Sequence, residues 1–168
     1  IEFSYLQVSI FRATSNQYRT FKNTLTDGVW ENVIFEWTGG TTAASISVYI
    51  NNSILTGATT SDGSGAMVAT DRHMIGGRAQ DNARNYDGGL AEVGCWDIAL
   101  TSGQRQMLAD GYSPDMVAAS NLVTYNPLVR DLNDNIAGVS GTADGTTVVS
   151  HPRIIRPTAQ VLQFPSGA

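Results

Sequence analysis

Short runs of alternating apolar and polar residues recur along the chain, and this two-residue period is the feature that most constrains its fold. Residues 45–50 place Ile, Val and Ile on one face and Ser, Ser and Tyr on the other. Such alternation is typical of a half-buried strand, because successive side chains of a strand point to opposite faces. Asn51-Asn52-Ser53 follows, and Asn tolerates positive φ. Residues 45–56 are therefore predicted to form a hairpin.

The segment from Trp30 to Trp37 shows the same alternation. Val33, Phe35 and Trp37 share an almost wholly apolar face, so we predict that this face lies against the core. Further strands are predicted at residues 3–11, 17–21, 73–77, 90–96, 122–128 and 146–149. Residues 57–65 hold only small and polar side chains and residues 78–85 are polar and charged, so both segments are predicted to be surface loops, the first a mobile one.

One short helix is predicted after Thr101. Thr101 is a suitable N-cap with Gln104 three positions on, which is the spacing of a capping box. Gly111 provides a residue that accepts the positive φ common just after a helix. The segment between them spans about two turns, with Met107 and Leu108 as its apolar contacts.

The composition agrees with a chain made mostly of strands. Only 15% of the residues are charged, and the chain has 17 Gly but a single lysine, Lys22. Such a mixture is poor in helix formers and rich in strand and turn formers. Roughly ten short strands imply two packed antiparallel sheets, so we predict an all-β sandwich over residues 1–150. Three of the five prolines lie after His151, and residues 151–168 are predicted to form an extended arm.

Charge and hydrophobicity exclude two classes of partner. The formal net charge is -5 and no basic stripe is present, which argues against nucleic-acid binding. No apolar run approaches the roughly 18 residues of a membrane-spanning helix. The sequence therefore predicts neither a nucleic acid nor a membrane as a partner.

The candidate catalytic residues do not form a working set. A retaining glycosidase needs two carboxyl groups about 5.5 Å apart, which on a strand means two acids on one face. Glu92 is the only Glu of its predicted strand, and Asp97, five positions on, falls on the opposite face. We therefore predict that the protein is not an enzyme and that Glu92 forms hydrogen bonds within the sandwich.

Metal-ligand and aromatic residues have ordinary interpretations. His73, His151 and Cys95 lack the spacing of zinc ligands. Cys95 lies in an apolar run and is predicted to be a small buried residue. Trp37 and Trp96 are predicted to pack in the core, while the position of Trp30 beside a turn leaves its role open.

Three segments carry a resemblance to a known family, and together they cover about residues 28–112. They are Trp30–Trp37 followed by Ser47–Asn52, then Met74–Gly77, and then Tyr86–Thr101. In the order and pattern of these segments the chain resembles the laminin-G-like, concanavalin A-like lectin/glucanase jelly rolls. The resemblance implies a two-sheet antiparallel jelly-roll sandwich with one short helix.

The remainder of the chain resembles the C-terminal part of such domains in tailed-phage virion proteins. The matching segments are Gly111–Pro114, Leu122–Leu128 and Thr146–Arg153. This resemblance implies a virion structural protein, such as a capsid decoration or cement protein that is assembled in the host cytoplasm and lies on the particle surface. Its expected partners are capsid or other virion subunits, including copies of itself. The alternative is a lectin-like module of a fibre or secreted adhesin that binds surface glycans.

Two sets of binding residues are predicted, and no cofactor is expected. The first set lies in the polar loop and would bind a glycan or a protein, although ordinary turn chemistry also explains it; it comprises Arg78, Asp81, Asn82, Arg84 and Asn85. Because laminin-G-like domains often bind calcium at a loop rim, the resemblance leaves calcium open for the same loop. The second set lies in the arm and would contact a neighbouring subunit; it comprises Arg153, Ile154, Ile155, Arg156, Val161, Leu162 and Phe164.

Overall fold

Short antiparallel strands dominate the protein. The structure is a computed structural model and describes residues 5–22, 25–57, 59–68, 74–76, 86–129, 132–143 and 145–156. The strands are β1 (Tyr5–Ile10), β2 (Gln17–Lys22), β3 (Val33–Trp37), β4 (Ile46–Ile50), β5 (Ser53–Ile54), β6 (Thr59–Ser61), β7 (Val93–Trp96) and β8 (Leu122–Asn126), and helix α1 covers Ser102–Ala109. Single 3-10 turns lie at Ala43–Ser45, Pro114–Met116 and Ala119–Asn121. The predicted all-β class with one short helix is confirmed.

The strands form three antiparallel groups in the described part of the chain. Their orders are β1-β2-β6, β3-β4-β5 and β7-β8. Side chains of β2 join the first group to the second: Gln17 Nε2 donates to Thr42 O at 2.5 Å, and Arg19 Nη1 donates to Ile46 O at 2.6 Å. Gln17 is fully buried, and its amide nitrogen finds acceptors in Thr42 O and in Ser45 Oγ.

The hairpin over residues 45–56 forms as predicted. Asn51 and Asn52 have φ values of 47° and 66°, the left-handed pair that a two-residue hairpin turn requires. Ile50 pairs with Ser53 across this turn. Ile46 and Val48 of β4 are fully buried, so the alternation of this strand correctly identified its core face.

The predicted core face of β3 is wrong in one respect. Phe35 is 53% exposed, whereas Ile34, on the opposite face, packs against the buried cluster of Leu100, Leu108 and Val117. The reason is that helix α1 covers the face that was expected to meet solvent. The guanidinium of Arg105, in this helix, lies 4.1 Å from the ring centre of Tyr49, and Tyr49 is the residue of β4 that pairs with Ile34. Strand β3 is also at the edge of its described sheet, which leaves Phe35 at the periphery.

Three further strand and loop predictions differ from the structure. Residues 57–65, predicted as a mobile loop, contain β6, because Thr59–Ser61 pairs with β2 and supplies it with a hydrogen-bonded neighbour. Met74–Gly76, the described part of a predicted strand, forms a bend with Gly76 at φ 81°. Residues 146–149 form no strand and are all exposed. The strand propensity of a segment's own residues did not show which segments pair with a neighbouring strand.

Helix α1 is confirmed in its bounds and its caps. Gln104 N donates to Thr101 Oγ1 at 3.3 Å, and Thr101 N donates to Gln104 Oε1 at 2.9 Å, so both halves of the capping box are present. Gly111 follows the helix with φ 90°. Met107 and Leu108 contact the core cluster, as the sequence predicted.

At the end of β7, Cys95 and Trp96 point in opposite directions. Trp96 packs against the core cluster, and its Nε1 donates to Val117 O at 2.8 Å, which confirms the predicted core role. Its ring lies over Gly94, where a Cβ would be 2.8 Å from Trp96 Cη2. Cys95 therefore points to the other face and is exposed, so the prediction of a buried cysteine is wrong.

Candidate functional site

Glu92 lies directly before β7 and contacts a cluster of polar side chains. Its φ is 55°, a left-handed conformation that costs a non-glycine residue about 1–2 kcal/mol. The Glu92 amide donates to Pro127 O at 3.2 Å, which ties this position to the end of β8. Residues in such conformations persist where surrounding contacts hold them, and they cluster at functional sites. The left-handed conformation therefore marks the surroundings of Glu92 as a candidate site.

Both oxygens of the Glu92 carboxylate have partners in the same chain. Arg156 Nη2 donates to Oε1 at 2.5 Å, and His151 Nε2 lies 3.0 Å from the same oxygen. The Tyr125 hydroxyl donates to Oε2 at 2.5 Å. The Glu92 side chain is only 9% exposed. The prediction that Glu92 forms hydrogen bonds within the domain is confirmed.

Tyr125 comes from β8 and is fully buried. Burial is the main cause that raises the pKa of its hydroxyl well above the ordinary value, and the hydrogen bond to Glu92 and the negative charge of Glu92 raise it further. Arg156 opposes this shift and donates to the hydroxyl from Nη1 at 3.3 Å. Tyr125 is therefore held as a neutral donor between a carboxylate and a guanidinium.

Both ring nitrogens of His151 face oxygen acceptors. Nδ1 lies 2.8 Å from Pro152 O, and Nε2 lies 3.3 Å from Pro127 O in addition to its contact with Glu92. His151 thereby joins the end of β8 to the start of the C-terminal segment.

The same C-terminal segment is held by backbone pairing. Ile155 N donates to Gly111 O at 2.7 Å, and Ser113 N donates to Ile155 O at 2.9 Å, forming a parallel bridge beside Tyr112. Gly111 is required here, because its φ is 90° and a Cβ would lie 3.3 Å from Arg153 O. We call residues 151–156 the docking segment, and the surface formed by Glu92, Gly111–Ser113, Tyr125 and Pro127 the docking site.

A second surface feature lies near the predicted ligand loop. A Cβ at Gly89 would lie 2.7 Å from Trp30 Cη2, and one at Gly88 would lie 2.6 Å from Tyr86 Cε1, so each ring lies directly over a glycine. Trp30 is 41% exposed and Tyr86 51%. We call these four residues the aromatic surface. Two aromatic rings are thus exposed to solvent, and the missing side chains of Gly88 and Gly89 provide the space in which they lie.

The aromatic surface borders the segment that holds the first set of predicted binding residues. Tyr86 N donates to Gly76 O at 2.7 Å, so the two described residues that flank positions 77–85 are hydrogen-bonded to each other. Arg78, Asp81, Asn82, Arg84 and Asn85 themselves lie outside the described residues. Their predicted role in ligand or calcium binding stays a prediction.

The second set of predicted residues divides into two parts. Arg153, Ile154, Ile155 and Arg156 lie in the docking segment against the chain's own domain, and Arg156 is ion-paired there with Glu92. Val161, Leu162 and Phe164 lie outside the described residues. Sequence reasoning missed Tyr125 and His151 as partners of Glu92. No local signal joins them, because 33 residues separate Tyr125 from Glu92 and 64 separate Arg156 from it.

The described residues offer few groups for metal binding or membrane insertion. Within the described ranges, no cluster of three or more His, Cys, Asp or Glu side chains is placed to hold a metal ion. A search of the same ranges finds no helix with the length and hydrophobicity to span a bilayer.

Comparison with known proteins gives one match. A family model described as the concanavalin A-like lectin/glucanases superfamily matches residues 4–104, which include Glu92 and the whole aromatic surface. Comparisons with curated proteins and with solved structures give no match. Tyr125, His151 and Arg156 lie beyond the matched residues.

Proposed function

The chain belongs to the concanavalin A-like lectin/glucanase superfamily, which includes non-enzymes, and on that premise we propose that it is a non-enzymatic structural protein of a tailed-phage particle. In this proposal it decorates or cements the capsid surface. The sandwich forms the rigid body, and residues that follow the docking segment bind a neighbouring subunit.

The non-enzymatic part of the proposal rests on the hydrogen bonds that the Glu92 carboxylate accepts within the chain. Glu92 directly precedes strand β7 and is the catalytic candidate that the sequence offered in this region. Both of its oxygens accept hydrogen bonds from side chains of the same chain. A catalytic carboxyl group must approach a substrate atom directly, and a general acid must come within hydrogen-bond distance of it. The side chains of Tyr125 and Arg156 occupy the positions around the Glu92 carboxylate where a substrate would have to lie. Glu92 therefore acts as an anchor for the C-terminal segment.

The anchored segment supports the structural part of the proposal. Because Ile155 and Arg156 are fixed to the domain, the chain continues into residues 157–168 from a defined point on the surface. These residues carry Val161, Leu162 and Phe164, apolar side chains that suit burial against a partner. The C-terminal part of the chain resembles tailed-phage virion proteins, and we therefore propose that this partner is another subunit of the particle.

Truncation tests the structural proposal. Removing residues 157–168 leaves the docking segment in place, so the domain should keep its thermal unfolding midpoint while its occupancy on particles falls to background. Removing residues 153–168 also takes away Ile155 and Arg156, and we expect this variant to lose stability as well. Undiminished particle occupancy of the shorter deletion would contradict the proposal.

Glycan binding is a second candidate function, and the aromatic surface specifically favours it. Exposed Trp and Tyr rings on a rigid backbone are suited to stacking against the apolar face of a sugar ring. Polar side chains of the adjoining loop, among them Arg84 and Asn85, would then fix the orientation of the sugar.

A glycan array separates the two candidates. Binding by the parent should be saturable and should be lost in Trp30→Ala and Arg84→Ala. Phe35→Ala is the matched control, because Phe35 is an aromatic residue outside the aromatic surface and is even more exposed than Trp30. An array on which the parent gives no signal, or on which Phe35→Ala weakens binding as much as Trp30→Ala, would contradict glycan binding at this surface.

A further inference from the structure

The docking segment is held entirely by contacts of its own six residues. His151 and Arg156 contact Glu92, Arg156 contacts Tyr125, and Ile155 pairs with the backbone of residues 111–113. None of these contacts involves a residue between 128 and 150. The docking segment of one copy can therefore bind the docking site of another copy through the same contacts.

The connection that leads to the docking segment is long and exposed. Residues 141–143 and 145–150 are all exposed, and residues 145–150 form no hydrogen bond with another described residue. Before them, Gly141 N donates to Leu132 O at 3.0 Å, and Asp134 accepts from Tyr125 N, so the chain is fixed to the domain up to that point. Ten residues, 141–150, span up to roughly 33 Å when extended, which is enough to reach a neighbouring molecule.

The connection also contains a segment with strand-forming residues and no strand. Thr146–Val149 are all β-branched, and Val148 is 89% exposed. Exposed β-branched residues with no ladder partner among the described residues are suited to pairing with an equivalent segment. A second copy of the chain supplies that equivalent segment when the two connections run past each other in opposite directions.

We propose that two copies of this chain exchange their docking segments, so that the docking site of each copy holds residues 151–156 of the other. The ion pair, the tyrosine hydrogen bond and the backbone bridge are the same as within one chain. The exchanged dimer adds antiparallel pairing of the two 146–149 segments about the two-fold axis, and it is symmetric and closed. The partner is a second copy of this chain, and the proposal does not depend on a virion role.

Complementary charge reversal distinguishes exchange from docking within one chain. In Glu92→Arg the docking site and the segment are both positive, and in Arg156→Glu both are negative. Exchange between the two variants restores opposite charges in both docking sites of a heterodimer. All proteins carry Cys95→Ser, because Cys95 is an exposed thiol that could form a disulfide-linked dimer.

The two variants are unfolded in urea, refolded together and analysed by native mass spectrometry with one of them isotopically labelled. We expect the heterodimer to be at least about tenfold more abundant than the homodimer of either variant refolded alone. The double variant Glu92→Arg/Arg156→Glu is the control and should behave as the parent does. A mixture that contains only monomers while the double variant folds would overturn the proposal.

A second variant leaves the docking site and segment unchanged. Deleting residues 146–148 shortens the connection by roughly 10 Å, and a shorter connection under strain favours exchange over docking within one chain. The deletion also removes most of the 146–149 pairing, so a dimer of this variant rests on the docking contacts alone. The expected result is a dimer by light scattering, with the Ile155 amide protected from hydrogen exchange. A shortened chain that stays monomeric, or whose Ile155 amide exchanges freely, would overturn the proposal. Both measurements are made without particles, so loss of particle binding in the truncation experiment is a separate outcome.

Discussion

Replacing Glu92 with alanine tests whether this carboxylate is a structural anchor. The substitution removes the acceptor for the buried Tyr125 hydroxyl and leaves Arg156 without its carboxylate partner. It retains the left-handed conformation at position 92, so the backbone strain remains while the contacts that offset it are lost. We expect the protein to fold and to be clearly less stable.

The size of the effect follows from the exposure of the partners. A hydrogen bond to a charged group contributes about 1.5–3 kcal/mol, and the Tyr125 hydroxyl is fully buried, so that full range applies. Arg156 is 41% exposed, and its ion pair adds only about 0.5 kcal/mol. The free energy of unfolding should fall by about 2–3.5 kcal/mol. At about 2–4 °C per kcal/mol for a chain of this length, the unfolding midpoint should fall by roughly 4–14 °C.

Urea denaturation followed by tryptophan fluorescence measures this change. Glu31→Ala is the control, because Glu31 accepts one exposed hydrogen bond from Thr26 N, and its loss should cost less than about 1 kcal/mol. Glu92→Gly should be about 1 kcal/mol more stable than Glu92→Ala, since glycine relieves the strained φ. If Glu92→Ala is as stable as the control, or more stable than the parent, the anchor role is wrong. Gains in stability are expected instead when a carboxylate is removed from an active site.

Three further predictions concern the helix cap, the glycine at the docking site and the buried tyrosine. Thr101→Ala should lower the free energy of unfolding by about 1 kcal/mol in urea denaturation, while Thr101→Ser, which keeps the capping hydroxyl, should change it little; equal losses would contradict the role of the capping box. Gly111→Ala should cost about 1–2 kcal/mol and speed hydrogen exchange of the Ile155 amide, because φ is 90° and the new Cβ would crowd Arg153 O; unchanged exchange would show that the bridge does not need glycine. Because the pKa of Tyr125 is raised in the folded protein, the contribution of Tyr125 to folding stability should be constant up to the ordinary tyrosine pKa near 10 and should decrease as the pH rises beyond it. In alkaline denaturation the stability of Tyr125→Phe should therefore fall less steeply than that of the parent, and identical slopes would contradict the raised pKa of Tyr125.

Local signals in the sequence identified the elements that depend on a few neighbouring residues. The Asn51-Asn52 turn and the capping box of Thr101 and Gln104 involve residues at most three positions apart, and both form as predicted. Strand β6 was missed, because its small polar residues carry no alternation and its place is decided by pairing with β2, some forty residues earlier. The partial burial of Ile34 was missed for a similar reason, since helix α1 packs on the side of the sheet that the alternation assigned to solvent.

The candidate site shows the same division. Sequence alone determined the all-β class, the short helix and the internal role of Glu92, because backbone periodicity and residue chemistry are local properties. The superfamily followed from the resemblance of three segments to the pattern of a known family. Only the tertiary structure decided that Tyr125, His151 and Arg156 meet Glu92 and that Trp30 and Tyr86 lie over adjacent glycines. Contacts between residues far apart in the chain depend on how the sheets and the C-terminal segment pack, and the period of a single strand does not contain that information.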